Sequence, residues 1–400
     1  MKNTKKKRKK IKKNTFTLFE VIVITLAFCS LTGIIVGLSV YFKNNRNLIL
    51  DDELLDIVDT YNKITNNFYG EIDASVLATS AIDGMMKTLN ERYSVYMNKE
   101  ETLDLIDRLD GEYQGIGISV RKEDGIFKVE NVYAGTPAEK SGLVPGDILN
   151  KLNDHIITKE DALEEVASLI KNGKKVSLIV LRDNKELEFT IEIKTIDYPA
   201  VSYKIYERND KKIGYIYLST FSKTSGTQVK SALEYLENNN IDSLIFDVRS
   251  NTGGYLDAAE EILNLFIKRG VPLYSIEDAK GKQTIYDTTN ESRNYDIVVL
   301  IDQASASASE ILATSLKESY GAILVGMQTY GKGLVQQTVS LSNNSMIKYT
   351  TAKWYTPLGN YINEIGYKPD IKVSLTKDYA MNPIDENDAQ LQKSLSILSK

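Results

Sequence analysis

Residues 297–310 read Ile-Val-Val-Leu-Ile-Asp-Gln-Ala-Ser-Ala-Ser-Ala-Ser-Glu, an apolar run followed by a serine-rich turn. The run is typical of a buried strand, and residues 308–320 carry apolar side chains at helical spacing. A serine at such a strand-to-helix turn lies near free N–H groups and the positive end of the helix, which favour a developing oxyanion. The same pattern also fits a plain helix cap, with Ser307 or Ser309 at the N-cap and Glu310 in the first turn. On this stretch alone, the cap is the favoured interpretation.

A serine hydroxyl becomes a good nucleophile only when a positioned base takes its proton. The only histidine is His155, in a segment that reads as a turn between two short strands, so we expect a structural or solvent-facing role for it. Lysine is the remaining base. Lys332, between two glycines in a stretch with few other charges, is the candidate. Its pKa must fall from about 10.4 to roughly 7 to 8, and burial can lower it that far.

A glycine turn supplies a third segment. Residues 244–249 (Leu-Ile-Phe-Asp-Val-Arg) predict a buried strand, Ser-Asn-Thr-Gly-Gly follows at 250–254, and residues 256–267 have the pattern of an amphipathic helix. A glycine pair lets the backbone approach a ligand and present N–H groups, as an oxyanion hole requires. The serine turn, the lysine loop and the glycine turn together predict one catalytic site.

These three segments resemble those of the C-terminal processing peptidases, also called tail-specific proteases, which are serine-lysine enzymes with an embedded PDZ domain. The matching stretches are residues 305–310, 330–336 and 247–254. The resemblance implies that Ser307 is the nucleophile and that Lys332 is the general base. It also implies that Gln336 orients Lys332. It also implies oxyanion donors in the backbone N–H of Ala308 and of either Gly253 or Gly254, a choice that the sequence leaves open.

The role of Gln336 sets a geometric condition. Four residues along an extended strand span roughly 13 Å, which is too far for contact with Lys332. Four residues along a helical turn lie within about 6 Å of each other. The assignment therefore requires a non-extended path after Gly333.

A second module precedes the site. Residues 113–118 (Tyr-Gln-Gly-Ile-Gly-Ile) resemble the carboxylate-binding loop of a PDZ domain, and residues 134–138 and 141–149 resemble the rest of that domain. Such a loop exposes successive backbone N–H groups to a chain-end carboxylate while the peptide adds as a strand. The expected peptide-binding residues are Gly115, Ile116, Gly117 and Ile118. Family members often carry arginine and glycine after the next helix, where this chain has Ile-Lys-Asn-Gly at 170–173, so whether the module activates or inhibits the core stays open.

Charge is distributed unevenly between the N-terminus and the rest of the chain. Residues 1–14 contain nine basic residues and no acid, which leaves 40 basic against 54 acidic residues in the remainder. Val21 to Phe42 follow as 22 residues without a charge, enough to cross a roughly 30 Å hydrocarbon core. Because lysines precede this span, we expect a cytoplasmic N-terminus and an extracytoplasmic catalytic domain at the cell membrane. A cleaved signal peptide is the competing interpretation, but the apolar run exceeds the usual 7 to 15 residues and lacks a clear cleavage site.

Composition excludes several catalytic classes. The only cysteine, Cys29, falls within the predicted span, so the remainder has no thiol nucleophile. No His/Cys cluster has zinc spacing, and we expect no metal, no cofactor and no nucleic-acid partner. Residues 168–171 fit the Ser-x-x-Lys of penicillin-binding enzymes, but the chain has no Lys-Thr-Gly to accompany it.

These observations predict a multidomain α/β protein. The resemblance implies a peptidase core of the ClpP/crotonase-like type and a β-rich PDZ domain with helices, and the helical arm of that family helps to form a homodimer. Residues 389–398 are a candidate partner helix for the arm. The expected parts are a basic cytoplasmic tip at 1–14, a transmembrane anchor at 21–42, a helical arm at 48–100, a PDZ domain at 104–192, the core at 198–378 and a C-terminal helical tail at 380–400.

The expected function is that of a membrane-anchored serine endopeptidase, which cleaves protein or peptide tails with a free C-terminus. The PDZ domain would bind the substrate C-terminus or gate the site. The alternative is a catalytically silent PDZ-containing binding or scaffold protein. The presence of both Ser307 and Lys332 favours the enzyme.

Overall fold

The computed structural model describes residues 51–133, 135–171, 173–197 and 199–400. The basic tip at 1–14 and the anchor predicted at 21–42 therefore lie outside the described residues. Within the described ranges, no helix combines the length and the apolar character that crossing a membrane requires. These residues fall into two compact units, one ending at Gly84 and one running from Met85 to Lys400.

The described secondary structure alternates between helices and short strands. The helices are α1 Asp52–Asn67, α2 Ala74–Thr88, α3 Lys99–Asp110, α4 Pro137–Ser141, α5 Leu163–Lys171, α6 Ser225–Asn238, α7 Leu256–Leu263, α8 Ala308–Ser315, α9 Lys377–Met381 and α10 Ala389–Leu398; a π-helical turn, Leu316–Tyr320, extends α8. The strands are β1 Val95–Met97, β2 Glu112–Gly115, β3 Ile118–Glu123, β4 Ile126–Val132, β5 Ile148–Leu152, β6 His155–Ile156, β7 Lys175–Arg182, β8 Lys185–Glu192, β9 Lys194–Asp197, β10 Val201–Arg208, β11 Lys211–Leu218, β12 Ser243–Asp247, β13 Pro272–Asp278, β14 Gly281–Tyr286, β15 Asp296–Ile301, β16 Ile323–Gly326, β17 Leu334–Ser340, β18 Met346–Tyr355 and β19 Ile371–Lys372.

The first unit contains α1 and most of α2. Asp52 and Glu53 lie in the first turn of α1, where negative charge is favourable. The Tyr61 hydroxyl donates to the carbonyl of Ala74 at the start of α2. Leu55 and Val58 of α1 are each 45% exposed, and no residue of this helix is buried.

The arm is helical over a shorter stretch than its apolar spacing predicts. Helical spacing predicts helix up to Met97, but α2 ends at Thr88 and Val95–Met97 form β1. These three residues pair with β18, with Val95 opposite Lys348. Pairing with a distant strand overrides the local helical pattern here.

The core is built on a six-stranded sheet in the order β10-β11-β12-β15-β16-β19. Only β10 is antiparallel to its neighbour. All of β12 and residues 297–301 of β15 are buried, as expected for parallel strands that are covered on both faces. Because β12 and β15 are adjacent and parallel, the glycine turn and the serine turn emerge at the same edge of the sheet.

The tail helix α10 completes this core. Leu391 and Leu395 pack in one apolar cluster with residues of β11, β12, β15 and β16. Asp388, which caps α10, forms an ion pair with the buried Arg249 at 2.9 Å. The apolar face of residues 389–398 is therefore covered by the core of the same chain. The expected pairing of this helix with the helical arm stays a prediction.

A second, antiparallel sheet has the order β1-β18-β13-β14, with β17 also paired to β18. The fully buried Trp354 lies on β18. β17 begins two residues after Lys332, and β1 comes from upstream of the predicted PDZ module. This sheet therefore joins two distant parts of the chain beside the lysine loop.

The module predicted at 104–192 has its own sheet, β3-β4-β5-β7-β8 with β6 on β5, and its own apolar cluster. A partly buried ion pair stabilises it, in which Nε of Arg182 donates to Oδ1 of the buried Asp147 at 2.6 Å. β2 and β9 pair antiparallel, which brings the entering and leaving chain segments together. His155 lies in this module, exposed, with Nε2 3.1 Å from Asp161 Oδ2. The structural role expected for His155 agrees with this position.

Candidate active site

The serine turn connects β15 to α8. Ser307 occupies the N-cap position of α8 with φ 57° and ψ −117°, a backbone conformation that non-glycine residues rarely adopt. The hydroxyl of Ser305 donates to the carbonyl of Val248, and that of Ser309 donates to the carbonyl of Asn251, both at 2.8 Å. Ser305 and Ser309 are fully buried and are held by these bonds, whereas Ser307 is partly exposed. The structure therefore singles out Ser307 as the serine that a substrate can reach.

Glu310 lies at the centre of the site. Its side chain is fully buried, and its Oε2 accepts the backbone N–H groups of Ser307 at 2.9 Å and of Lys332 at 2.8 Å. Its Oε1 accepts the N–H of Gly331 at 2.7 Å and the hydroxyl of Thr329 at 2.6 Å. Burial raises the pKa of Glu310, and these hydrogen bonds oppose that rise. One carboxylate thus fixes the serine turn and the lysine loop to each other.

The lysine loop places Lys332 two residues before β17. Its carbonyl accepts the indole N–H of Trp354 at 2.7 Å, which anchors the loop to β18. Its amine nitrogen Nζ lies 5.0 Å from the centre of the Tyr93 ring. Burial lowers the pKa of Lys332 from 10.5 to about 8, and the positive charge of Lys348 acts in the same direction. A lysine in this state has an appreciable neutral fraction near neutral pH, as a general base needs.

Gln336 lies in β17, which is extended from Leu334 onward apart from a bulge between Val335 and Gln336. Within β17 this bulge is the departure from an extended path that the role of Gln336 requires, because a bulge bends the strand directly before that residue. The amide nitrogen of Gln336 donates to Thr350 Oγ1 at 3.2 Å, and Thr350 in turn donates to Glu91 Oε1 at 3.1 Å. The role of Gln336 toward Lys332 stays a prediction.

The glycine turn packs directly on the serine turn. A Cβ at Gly253 would lie 3.0 Å from Ser307 Cβ, and one at Gly254 would lie 2.2 Å from the carbonyl oxygen of Phe221. Gly253 also has φ 105°, so this turn requires glycine for both space and conformation. The N–H of Gly253 donates to Asn251 Oδ1 at 2.9 Å. Among the described residues, no acceptor takes the N–H of Gly254 or of Ala308.

An apolar groove of about 210 Å³ lies between β3 and α5 of the module. Its lining includes Ile116, Ile118, Val120, Leu163, Ala167 and Ile170. At one end lies the predicted carboxylate loop, where Gly117 has φ 92° and a Cβ would lie 2.2 Å from Thr136 Cβ. In the described part of the chain, the N–H groups of Ile116 and Gly117 have no acceptor. The groove can therefore take an extended peptide with an apolar end.

Several site residues were missed by sequence reasoning. The sequence pattern marks Glu310 only as an acid in the first turn of a helix, and it does not single out Glu91, Tyr93 or Thr350. The signal for Glu310 was present, since an acid three residues after a candidate nucleophile can reach back to its N–H. Nothing in a single sequence links residues 91–93 to a lysine on the other side of the intervening module.

Comparison with known proteins identifies the class. Family models match at residues 212–373 (Peptidase family S41), 114–193 (PDZ domain) and 39–101 (Activating protease CtpB N-terminal domain). The fold, the site and the inserted module thus define a serine hydrolase that acts on proteins or peptides.

Relatives over most of the chain settle the family. Carboxy-terminal processing protease CtpB of Bacillus subtilis (strain 168) is 35% identical over 351 residues, which cover 86% of this chain and 72% of the relative. A probable CtpA-like serine protease of Staphylococcus epidermidis (strain ATCC 12228 / FDA PCI 1200) is 32% identical over 379 residues, covering 92% and 76%. A putative S41 protease structure from Bacteroides fragilis NCTC 9343 has a TM-score of 0.52 at 18% identity, covering 79% of this chain and 90% of that chain, and shows the fold alone. The chain belongs to peptidase family S41, as a serine-type C-terminal processing peptidase with a PDZ domain.

Proposed function

We propose that this protein is a membrane-anchored endopeptidase that cleaves protein tails through an acyl-enzyme formed by Ser307 with Lys332 as the base. The observation that carries the proposal is the shared carboxylate of Glu310. Because Ser307 and Lys332 both donate their N–H to Glu310 Oε2, their backbone nitrogens are no further apart than the two bonds together span. This closeness of the two backbones supports Ser307 as nucleophile and Lys332, whose pKa is lowered, as its base.

The first half of the reaction is acylation. Neutral Lys332 Nζ takes the proton of Ser307 Oγ as Oγ attacks the carbonyl carbon of the scissile peptide bond. The backbone N–H of Ala308 and a glycine N–H stabilise the oxyanion. Gly254 is the favoured second donor, because the N–H of Gly253 donates to Asn251 in this structure. The C–N bond then breaks as the Lys332 ammonium gives its proton to the leaving nitrogen.

The second half releases the acyl group. Lys332, again neutral, takes a proton from water as the water oxygen attacks the ester carbon. The ester C–O bond breaks, and the proton returns to Ser307 Oγ. Gln336 is proposed to accept a hydrogen bond from the Lys332 amine and so to orient it in both steps.

The PDZ domain is proposed to bind the substrate C-terminus. The apolar lining of its groove suits a chain end with an apolar last residue, and so do the N–H groups of Ile116 and Gly117, which donate to no described residue. The uncharged span at 21–42 after nine basic residues supports an anchor with the catalytic domain outside the cytoplasm. A homodimer formed through the helical arm belongs to the same proposal and rests on the family resemblance alone.

Cleavage of an unfolded peptide with an apolar C-terminal residue tests the enzyme directly. The full chain in detergent should cleave it, and a fluorophosphonate probe should label Ser307, as located by mass spectrometry. Ser307→Ala and Lys332→Ala should each abolish cleavage and leave the thermal unfolding transition in place. The exposed residues Ser292 and Lys280 provide the matched controls Ser292→Ala and Lys280→Ala. Full activity in Ser307→Ala or Lys332→Ala would refute the proposal, and tail binding without cleavage by the native protein would favour a scaffold.

A further inference from the structure

A short segment from upstream of the PDZ domain, residues 91–94, lies beside the lysine loop. The Tyr93 ring contacts the amine of Lys332, with the ring centre 5.0 Å from Nζ. Ser94 Oγ accepts the N–H of Thr350 at 3.1 Å, and Glu91 Oε2 accepts the N–H of Tyr93 at 3.0 Å. β1 follows at once and pairs with β18. The segment is therefore fixed in place by the same strand that supports the lysine loop.

The carboxylate of Glu91 fixes the direction of each hydrogen bond in the chain from Glu91 through Thr350 to Gln336. An ionised carboxylate can only accept, so Thr350 must donate its single hydroxyl hydrogen to Glu91. The oxygen of Thr350 is then the acceptor for Gln336, which must turn its NH₂ group toward it. The remaining amide atom, Gln336 Oε1, is left to accept from another donor. The amine of Lys332 is a donor in both of its protonation states.

The Tyr93 ring affects how far water can reach the Lys332 amine. Tyr93 is half-buried, its hydroxyl is closed off from solvent, and the guanidinium of Arg92 lies 4.9 Å from the centre of its ring. The ring therefore occupies space beside the Lys332 amine that water would otherwise fill. A ring face also attracts a cation, which favours the charged amine. Exclusion of water is the larger effect, because burial is the main cause of the lowered pKa of Lys332.

Charged groups face the amine from three elements. Glu91 comes from the segment itself, Lys348 from β18 and Glu310 from α8. Glu91 and Glu310 favour the ammonium form of Lys332, whereas Lys348 and burial disfavour it. Removing Glu91 and removing the Tyr93 ring should therefore shift the titration of Lys332 in opposite directions.

We propose that residues 91–94 are a positioning segment of the active site, in which Glu91 orients Gln336 through Thr350 and Tyr93 packs on the Lys332 amine to exclude water. This inference rests on the serine-lysine mechanism proposed above. Neither residue touches the reacting bond. Their effect is exerted through Gln336 and Lys332.

Two pairs of variants of the full chain test the proposal. In each pair, one variant removes the group in question and the other keeps it. Thr350→Val removes the hydroxyl at constant shape, and Thr350→Ser keeps it. Tyr93→Ala removes the ring, and Tyr93→Phe keeps it. The readouts are kcat, KM and the pH dependence of Ser307 labelling by a fluorophosphonate, with thermal unfolding as a check on the fold. Thr338→Val, at an exposed position of β17, is the control for Thr350→Val.

We expect Thr350→Val to lower kcat about tenfold at unchanged KM, because misorienting a catalytic group costs rate and not binding. Thr350→Ser should recover most of that loss. Tyr93→Ala should move the midpoint of the labelling profile to higher pH, toward the ordinary lysine value of 10.5, and Tyr93→Phe should keep it near 8. Glu91→Gln should move the midpoint to lower pH.

Equal losses in Thr350→Val and Thr350→Ser would overturn the orienting role, and so would wild-type kcat in Thr350→Val. An unshifted midpoint in both Tyr93→Ala and Glu91→Gln would overturn the role of the segment toward Lys332. If a Tyr93 variant fails to fold, the direction in which Glu91→Gln shifts the midpoint of the labelling profile still tests the role of the segment toward Lys332. Failure of the serine-lysine mechanism itself is distinguishable, because the native protein would then show no labelling of Ser307.

Discussion

The backbone N–H groups of Ser307 and Lys332 share a single acceptor, Oε2 of the buried Glu310, at 2.9 and 2.8 Å. The other oxygen of this carboxylate accepts from Gly331 and Thr329. A turn after β15 and a loop before β17 are thus joined by one side chain, in addition to a direct hydrogen bond from the N–H of Tyr330 to the carbonyl of Ser305 at 3.0 Å. This carboxylate therefore helps to set the distance between the backbones of the candidate nucleophile and the candidate base.

Glu310→Gln is expected to lower the rate of Ser307 labelling about a hundredfold, because a misplaced nucleophile or base costs rates of that order. Glutamine keeps one acceptor oxygen and puts an NH₂ group against donors that then lose their partner. Each buried donor left unpaired costs about 1–3 kcal/mol, partly offset by removal of a buried charge. Chemical unfolding at neutral pH measures the second effect. Glu234→Gln, at an exposed position of α6, should change neither quantity.

Lys332→Met is expected to stabilise the fold at neutral pH. The pKa of Lys332 is lowered from 10.5 to about 8, so folding disfavours the ammonium form. Below pH 8 this costs up to about 3 kcal/mol, and the cost fades as pH rises from 8 to 10.5, because there the unfolded state binds more protons. Urea unfolding of both proteins at pH 7 and pH 10 measures the difference. A Lys332→Met variant that is less stable than the native protein at pH 7 would contradict the conclusion that folding disfavours the ammonium form of Lys332.

Lys348→Met is expected to move the pH dependence of cleavage to higher pH. The half-buried Lys348 carries a positive charge that helps to lower the pKa of Lys332, so its removal raises that pKa. Activity rises with pH as Lys332 loses its proton, and this rise should come later in the variant. Rates of peptide cleavage between pH 6 and about 10 measure the shift. Lys280→Met, at an exposed lysine, should leave the profile in place, and a shift to lower pH in Lys348→Met would contradict the prediction.

Ala167→Phe is expected to weaken the binding of an apolar-ended peptide at least about tenfold, because the larger side chain fills the groove between β3 and α5. Gly117 is a poorer choice for this test. A Cβ there would strike Thr136, so loss of binding would reflect damage to the fold. Fluorescence anisotropy in a Ser307→Ala background separates binding from cleavage. The same peptide with an amidated C-terminus should bind weakly even to the unchanged groove, and equal affinity for both peptides would argue against carboxylate recognition.

Much of the fold follows from local patterns. The continuous apolar run at 297–301 is a buried parallel strand, and the helices after the serine and glycine turns begin where the sequence indicates. The spacing of apolar residues and the residue types that form turns are set within a few positions, so they predict local structure without the rest of the chain. Residues 95–97 show the limit of this approach, because a strand partner more than two hundred residues away decides their conformation.

The family follows from the sequence alone, and so do Ser307 as the candidate nucleophile and Lys332, in place of the single histidine, as the candidate base. The tertiary structure adds why Ser305 and Ser309 are occupied, since their hydroxyls donate to the carbonyls of Val248 and Asn251 in a distant segment. It also decided that Glu310 joins the two loops, that Gln336 faces Thr350, and that α10 is covered by the sheet. The physical reason is that residue type fixes what a side chain can donate or accept, whereas its partner depends on which distant segments the sheets bring together.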